Sequence, residues 1–318
     1  MSNLSQRMKI QRLQDTIFVN STRFFAFFVL ALLSAIIISL LYGALPSIKA
    51  FGFGFITSTD WNPVTEQFGA WPSIRGTLIS SAIALLVAVP ISFGIAIFLT
   101  ELSPIWLRRP LGICIELLAG VPSIIYGMWG LFIFAPLFSE HVQPWLTEST
   151  AGIPFIGALF DGPPMGIGMF TGGLILAIMV IPFVTSVMRD VFEVVPPLLK
   201  ESAYGLGSTT WEVVRHVVVP YTKTGIIGGI MLGLGRALGE TMAITFVIGN
   251  SMNEMNSLFD PATTISATLA NEFTEAHGEL YTASLIQLGL LLFFITFVVL
   301  VLSKLLLLRL NRNEGSHS

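Results

Sequence analysis

Six long runs of apolar residues restrict the fold of this chain more than any other feature. The runs cover residues 24–45, 76–99, 113–138, 167–187, 225–248 and 281–308. Each is close to the ~20 residues that a helix needs to cross the hydrocarbon core of a bilayer. Only helices and closed barrels satisfy their backbone polar groups in lipid, and these runs are too long for barrel strands. The sequence therefore predicts an all-α membrane protein with six transmembrane helices in a lipid bilayer.

The composition supports a membrane protein and excludes several other classes. Charged residues make up 11% of the chain, whereas a soluble domain carries about 25%. A single cysteine excludes an internal disulfide, and the four histidines are scattered along the chain. We therefore expect no metal site. The net charge of -3 gives no reason to expect a nucleic-acid partner.

Lysine and arginine are concentrated in alternate loops. The loops that follow the second and fourth runs are basic, and so are both termini, whereas the loops after the third and fifth runs contain neither residue. The basic positions are Arg7, Lys9, Arg12, Arg23, Arg108, Arg109, Arg189, Lys200, Arg215, Lys223, Lys304, Arg309 and Arg312. Because such loops stay in the cytoplasm, both termini and the loop 189–224 are predicted to be cytoplasmic.

These patterns divide the chain into four parts. Residues 1–23 are predicted to be a cytoplasmic segment, and residues 24–75 the first span with an outer interfacial loop. Residues 76–308 form a transmembrane domain that contains the loop 189–224, and residues 309–318 are a cytoplasmic tail.

A polar stretch of residues 201–220 interrupts the apolar sequence between the fourth and fifth spans. Gly205 and Gly207 predict a break between two short helices, and the hydroxyls of residues 208–210 predict an N-cap for the second helix. Pro220 predicts the end of that pattern before the next span. We expect a compact knob at the membrane surface that a soluble partner can bind.

The spacing within this stretch, E-S-A-x3-G-x9-V-x-V-P, resembles the EAA loop in the membrane subunits of bacterial ABC importers. The matching residues are Glu201, Ser202, Ala203, Gly207, Val217, Val219 and Pro220. Ser202 stands where alanine is usual, and Val219 stands where leucine is common. In that family the first helix of the loop docks into a groove of a cytoplasmic ATPase. The resemblance implies an ATPase-coupling loop, and the alternative is an ordinary cytoplasmic loop.

Two charges lie near the middle of the fifth run. Arg236 and Glu240 are four residues apart, which places them on one face of a continuous helix. A charge at that depth costs about 2.5 to 3.5 kcal/mol on insertion scales, so it usually faces a protein interior or a wet path. One hypothesis pairs the two side chains with each other. The other places Arg236 in a translocation path, where it meets an oxyanion, with Glu240 orienting it and Thr241 adding a hydroxyl.

Smaller features of the runs predict helix packing. Glycines recur every four residues at 225, 229 and 233, and again at 235 and 239. This spacing allows helix backbones to approach closely. Glu116 is interpreted as an interface or inter-helix contact, and the G-V-P of residues 120–122 is expected to interrupt or kink its helix.

The segments GLGRALGETMA (residues 233–243) and GVPSI (residues 120–124), with the basic N-terminal extension, resemble the phosphate-importer permeases of ABC transporters over nearly the whole chain. The resemblance implies the type I ABC importer permease fold in the bacterial inner membrane, and inorganic phosphate as substrate. It also implies three protein partners. These are a PstA-like second permease, a homodimeric cytoplasmic ATP-binding subunit and a periplasmic phosphate-binding protein.

The chain contains no G-x-x-x-x-G-K-[ST] phosphate-binding loop. We therefore expect no cofactor and no catalytic residue in this chain, with ATP and Mg bound by the partner ATPase. One alternative is an importer of another oxyanion, such as sulfate or molybdate. A membrane-embedded enzyme is a second alternative, which the absence of hydrolase motifs disfavours. A solitary channel is a third, and it predicts conductance without ATP.

Overall fold

The structure is a computed structural model that describes the backbone of residues 2–314 and the side chains of residues 11–305 and 308. Four basic side chains that support the predicted orientation lie outside the described residues. They are Arg7, Lys9, Arg309 and Arg312.

Helices make up most of the described residues. They are α1 (Ser2–Phe51), α2 (Gly54–Thr57), α3 (Trp71–Ile97), α4 (Ile105–Ala119), α5 (Ser123–Trp129), α6 (Ala135–Leu137), α7 (Gln143–Thr150), α8 (Ile156–Leu159), α9 (Met169–Glu193), α10 (Pro197–Gly205), α11 (Thr210–Val213), α12 (Val219–Leu238), α13 (Met242–Val247), α14 (Ile265–Glu272) and α15 (Glu279–Glu314). Wider π-helical turns extend or join several of them, at Phe98–Leu102, Gly130–Phe134, Phe138–Val142 and Val214–Val218. Strands β1 (Trp61–Asn62) and β2 (Gln67–Phe68) pair as an antiparallel hairpin.

Six helices within the described residues are long and apolar enough to cross a membrane. They cover Gln11–Phe51, Trp71–Leu102, Ser123–Thr150, Met169–Glu193, Thr210–Leu238 and Glu279–Leu305. The predicted count of six spans and the all-α class are confirmed, although the ends of the spans differ from those that the apolar runs indicate.

The third span is displaced from its predicted limits of 113–138. Helix α4 ends at Ala119, and α5 begins at Ser123 after a break over residues 120–122. Proline has no N–H and disfavours a helical conformation in the residue before it, so Pro122 separates the two helices. The spanning helix then runs on to Thr150. Residues 139–150 are therefore helical, whereas the sequence predicts that the third span ends at residue 138.

The first span also extends beyond its predicted end at residue 45. Helix α1 continues through Pro46 to Phe51, because a long helix tolerates the loss of one backbone hydrogen bond with a local bend. The residues that follow, predicted as an outer interfacial loop, fold into α2 and the β1–β2 hairpin. Phe55 and Phe68 are fully buried there, and the ring of Phe68 stacks on that of Tyr281 at 5.0 Å.

Helix α9 lies at the centre of the molecule, with α3, α4, α12 and α13 packed around it. Helix α3 brings a row of small buried side chains to this contact, at Ala84, Ala88, Ser92 and Ala96. Ser92 Oγ donates a hydrogen bond to the Ile181 carbonyl oxygen at 3.1 Å. In a lipid bilayer the hydrophobic effect does not drive helices together. Close packing of small residues and hydrogen bonds between helices stabilise their association instead.

Glycines bring α12 close to α9. A Cβ added at any of three glycines would lie 3.1 Å or less from a valine side chain of α9. The pairs are Gly225 with Val191, Gly229 with Val187, and Gly233 with Val184. The predicted close packing is confirmed at these positions. Gly235 and Gly239 instead line a groove of about 390 Å³ beside α15.

Candidate functional site

Residues 197–213, called the knob here, connect α9 to α12 through two short helices. Helix α10 ends at Gly205, and Gly207 has a φ of +90°. Residues with a side chain rarely adopt this left-handed conformation, so glycine permits the turn. The Ser208 N–H donates to the Ala203 carbonyl oxygen at 3.2 Å and closes the turn. The predicted glycine break between two helices is confirmed.

A capping box fixes the start of the second helix. The Thr209 N–H donates to Glu212 Oε2 at 2.8 Å, and the Glu212 N–H donates to Thr209 Oγ1 at 3.4 Å. The two residues thereby satisfy backbone donors that the first helical turn leaves without partners. Of the three hydroxyl residues predicted to supply an N-cap, Thr209 does so.

Pro220 does not end a helix, contrary to the prediction. Helix α11 continues through the π turn at Val214–Val218 into α12, and the fifth span begins at Thr210. The Val219 N–H donates to the Val214 carbonyl oxygen, five residues back. This wider turn precedes a proline at the start of α12, where the missing N–H of Pro220 is tolerated.

The residues of the EAA-like motif, which lie in the knob and at the start of the fifth span, divide between exposed and half-buried positions. Four of them are exposed: Glu201, Ser202, Gly207 and Pro220. Ala203 and Val217 are half-buried against the main hydrophobic core. The motif thus combines side chains that hold the knob to the membrane helices with side chains that a partner can reach.

The exposed surface of the knob carries several large apolar side chains. Leu206 is 89% exposed, and Leu198 and Trp211 are exposed as well. Large apolar side chains grouped on a polar loop mark an interaction surface. The knob therefore has the composition of a protein-docking site.

The fifth apolar run, predicted as one span over residues 225–248, is broken where its two charges lie. Helix α12 ends at Leu238, and α13 begins at Met242. Arg236 is in the last turn of α12, and Glu240 is in the non-helical connection. The prediction that both lie on one face of a continuous helix is wrong, because the chain leaves the helix at Gly239, the weakest helix former in this segment.

Arg236 has no acidic partner among the described residues. Its Cζ lies 5.6 Å from the centroid of the Phe183 ring on α9, which is a cation–π distance. Arg236 takes part in none of the ion pairs that the described residues form. Its Nε is buried and has no acceptor among them. The Nε donor of this guanidinium is therefore unused among the described residues.

Glu240 and Thr241 bond to the local backbone. Glu240 Oε1 accepts the Ala243 N–H at 3.2 Å, so its carboxylate holds the first turn of α13. Thr241 Oγ1 donates to the Gly239 carbonyl oxygen at 3.4 Å. The hypothesis that Glu240 forms an ion pair with Arg236 is not supported by this arrangement. The three predicted pathway residues are brought to one break in the span, but each has different contacts.

The breaks in the third and fifth apolar runs lie near each other in the fold. Helices α5 and α13, which each follow a break, pack together. A Cβ at Gly127 would lie 3.0 Å from the Ala243 Cα. Discontinuous helices in transporters place backbone and polar groups at mid-membrane, where substrates bind. The sequence indicated the first break through Gly120 and Pro122, while the second was missed.

Two ion pairs join helices on the side of the molecule that contains the knob. Arg189 Nη2 lies 2.8 Å from Glu116 Oε1, so Glu116 is an inter-helix contact between α4 and α9, as predicted. Lys200 Nζ lies 2.5 Å from Glu101 Oε1 and joins α10 to the π turn that ends the second span. The sequence analysis did not predict the second pair, although it placed Lys200 on the cytoplasmic side.

A protein-family model described as "Binding-protein-dependent transport system inner membrane component" matches residues 89–312. The PstC protein ("Phosphate transport system permease protein PstC") of Pasteurella multocida is 62% identical over 301 residues, which cover 95% of this chain and 94% of that protein. The chain belongs to the PstC family of transport permeases. The PstC of Haemophilus influenzae is 59% identical over 301 residues, 95% of each chain.

The fold of the permease is also found in a solved structure. A bacterial alginate ABC transporter, in complex with an alginate pentasaccharide-bound periplasmic protein, aligns with a TM-score of 0.56. The alignment is 17% identical and covers 87% of this permease and 92% of that chain. The likeness shows the fold, which is that of type I ABC importer permeases. The permease is a multi-pass inner-membrane transport subunit and not an enzyme.

Proposed function

We propose that this permease is one of the two membrane subunits of an ATP-driven importer, and that it carries inorganic phosphate across the bacterial inner membrane. The observation that carries the proposal is Arg236. A PstC-family permease places this arginine beside a break in a spanning helix, with a buried Nε that has no acceptor in the described part of the chain.

The environment of Arg236 suits a transported oxyanion. An arginine side chain presents a planar array of donors that matches the oxygens of phosphate. Leaving a buried donor without a partner costs about 1 to 3 kcal/mol, so an incoming anion that accepts it gains that energy. Glu240 is bonded to the Ala243 N–H and leaves the guanidinium charge available. Thr241 adds a hydroxyl at the same break.

The knob is the proposed docking site for the ATP-hydrolysing subunit. Leu198, Leu206, Trp211 and Glu201 are all exposed on the knob, and we propose that a homodimeric cytoplasmic ATP-binding subunit docks there. ATP and Mg bind to that subunit and not to this chain. Closure of the ATPase pair moves the knob and shifts the permease between inward-facing and outward-facing states, because ATP favours one of the two.

The orientation and the remaining partners follow from the same proposal. The basic loops 189–224 and 100–112 face the cytoplasm, as do both termini. The loops after the third and fifth spans face the periplasm. There a phosphate-binding protein delivers its ligand to a path between this permease and a PstA-like partner.

Uptake of radiolabelled phosphate by cells that carry Arg236→Gln tests the proposal. We expect uptake to fall at least about tenfold, since a lost charge-assisted hydrogen bond is worth about 1.5 to 3 kcal/mol. Arg109→Gln is the matched control, because Arg109 is exposed on α4 and its loss should leave uptake unchanged. Membrane level and ATPase-subunit pull-down are checked in both variants.

Two results would contradict the proposal. Normal uptake in the Arg236→Gln cells would remove Arg236 from the path. Competition by sulfate rather than unlabelled phosphate in unmutated cells would overturn the substrate while leaving the importer architecture intact.

A further inference from the structure

We infer that the Glu101–Lys200 ion pair is the mechanical link that transmits movement of α10 to the second span. The inference rests on the proposed function, since it assigns positioning roles to two residues of the coupling step. Neither residue belongs to the EAA-like motif or to the proposed path.

The pair joins the knob to a membrane helix at short range. Lys200 Nζ lies 2.5 Å from Glu101 Oε1. Lys200 is in α10, directly before the exposed Glu201. Glu101 is in the π turn Phe98–Leu102, which continues α3 to the end of the second span. A displacement of α10 is therefore transferred through one hydrogen-bonded ion pair to α3.

Burial makes this contact stiffer than an ordinary surface ion pair. The Glu101 side chain is 6% exposed and the Lys200 side chain 18%. Water and salt screen such a pair only weakly, and separating it would strand a charge in a site of low dielectric constant. In the Glu116–Arg189 pair, by contrast, the Glu116 side chain is 53% exposed.

Other charged groups surround the pair. A cavity of about 370 Å³ at the same junction is lined by Glu101 and Lys200 together with Arg108 of α4, Glu193 of α9 and Tyr204 of α10. Arg108 Nη2 donates to the Ser103 carbonyl oxygen at 3.2 Å. Two acidic and two basic groups thus meet where four segments converge, and the direct ion pair among them joins the knob to α3.

The position of α3 explains why movement there matters. Helix α3 packs along α9 through its row of small residues, and it also contacts α12. Small residues leave little space for independent movement between the two backbones. A pull on Glu101 therefore acts on the helix that is most closely packed against the centre of the molecule.

The test measures coupling in the complete complex, reconstituted in liposomes with the partner permease, the ATP-binding subunit and the binding protein. Glu101→Gln and Lys200→Met each remove one charge with little change of shape. Lys200→Arg preserves the charge, and the double variant Glu101→Gln/Lys200→Met leaves no charge stranded. Glu116→Gln is the matched control, since it breaks an ion pair at 2.8 Å that does not involve the knob.

The readout is the amount of anion transported per ATP hydrolysed. We expect this ratio to fall about tenfold in each single variant, within the range of coupling free energies between sites, while ATPase-subunit binding stays at the unmutated level. The double variant should be no worse than either single variant, because residues that act as one link are not additive. Lys200→Arg and Glu116→Gln should keep most of the ratio.

An unchanged ratio in both single variants overturns the inference. A transport-to-ATP ratio that returns to the unmutated value in the double variant also overturns it. That result would mean that an unpaired buried charge alone causes the defect of the single variants. A loss of ATPase-subunit binding that accounts for the whole fall would likewise reduce the pair to a structural contact. The unmutated complex is measured with phosphate and with sulfate. Transport of sulfate alone contradicts the proposed substrate, while the ratio for that anion still tests the pair.

Discussion

At the scale of single residues, the absence of a side chain matters as much as the presence of a charge. Gly233 allows α12 to lie against Val184 of α9, and that contact sets where the following turn presents Arg236. A methyl group at Gly233 would lie 2.5 Å from Val184 Cγ2. Gly233 therefore positions Arg236, the residue proposed to meet the anion, as well as the two helices.

Gly233→Ala should lower the free energy of unfolding of the permease by about 1 to 3 kcal/mol, the usual cost of overpacking a core. Gly228→Ala is the control, because a Cβ at Gly228 meets no atom within 4 Å. That variant should be unchanged, or stabilised by up to about 1 kcal/mol through helix propensity. Unfolding of the purified variants in detergent checks both. Equal stability of the two variants would contradict the close packing.

At the scale of the elements, the knob depends on one turn between two helices. Gly207 has a φ of +90°, whereas a Cβ at either Gly207 or Gly205 would meet no atom within 4 Å. The two glycines therefore differ in backbone conformation and not in available space.

Gly207→Ala should weaken binding of the ATP-binding subunit, because the left-handed backbone costs a residue with a Cβ about 1 to 2 kcal/mol. That penalty corresponds to about tenfold in affinity. Gly205→Ala should bind as the unmutated permease does. Titration of the purified subunit against each variant measures both affinities. A similar affinity in the two variants would show that the turn does not control docking.

The number of spans and the knob were predictable, since both depend on local sequence. Apolar runs predict which segments can cross the bilayer, and the glycines of the knob predict where its first helix ends. The ends of the spans were less predictable. Apolar residues continue through Gly239 although the helix stops at Leu238, and proline at 220 is accommodated by a π turn that hydropathy does not reveal.

The contacts of the charged residues were the least predictable part of the site. Glu240 was expected beside Arg236, but its carboxylate accepts the Ala243 N–H after the helix breaks. Lys200 was counted as one of several cytoplasmic cations, and nothing local indicates that it meets Glu101, 99 residues away. Such pairs depend on how the helices pack, which no local pattern specifies.

At the scale of the whole molecule, the account requires one orientation in the membrane. Val64 in the β1–β2 connection is 91% exposed, and Leu206 on the knob is exposed to a similar degree. The account places the first in the periplasm and the second in the cytoplasm. They are therefore a matched pair for a topology measurement.

Val64→Cys should react with a membrane-impermeant maleimide in intact spheroplasts, and Leu206→Cys should react only in inside-out vesicles. Cys114, the single cysteine of the chain, is first replaced by serine so that labelling reports the new thiol alone. Labelling of Leu206→Cys in intact spheroplasts would reverse the orientation and remove the knob from the reach of a cytoplasmic ATPase.

The most direct test of the central claim is uptake of radiolabelled phosphate into liposomes that contain the full complex. The account predicts uptake that requires ATP inside the liposomes and the loaded binding protein outside. Unlabelled phosphate should compete with the radiolabelled phosphate, and sulfate should not. Phosphate flux without ATP would indicate a channel. ATP-driven uptake that sulfate abolishes would indicate that the importer carries another oxyanion. Either result would contradict the account.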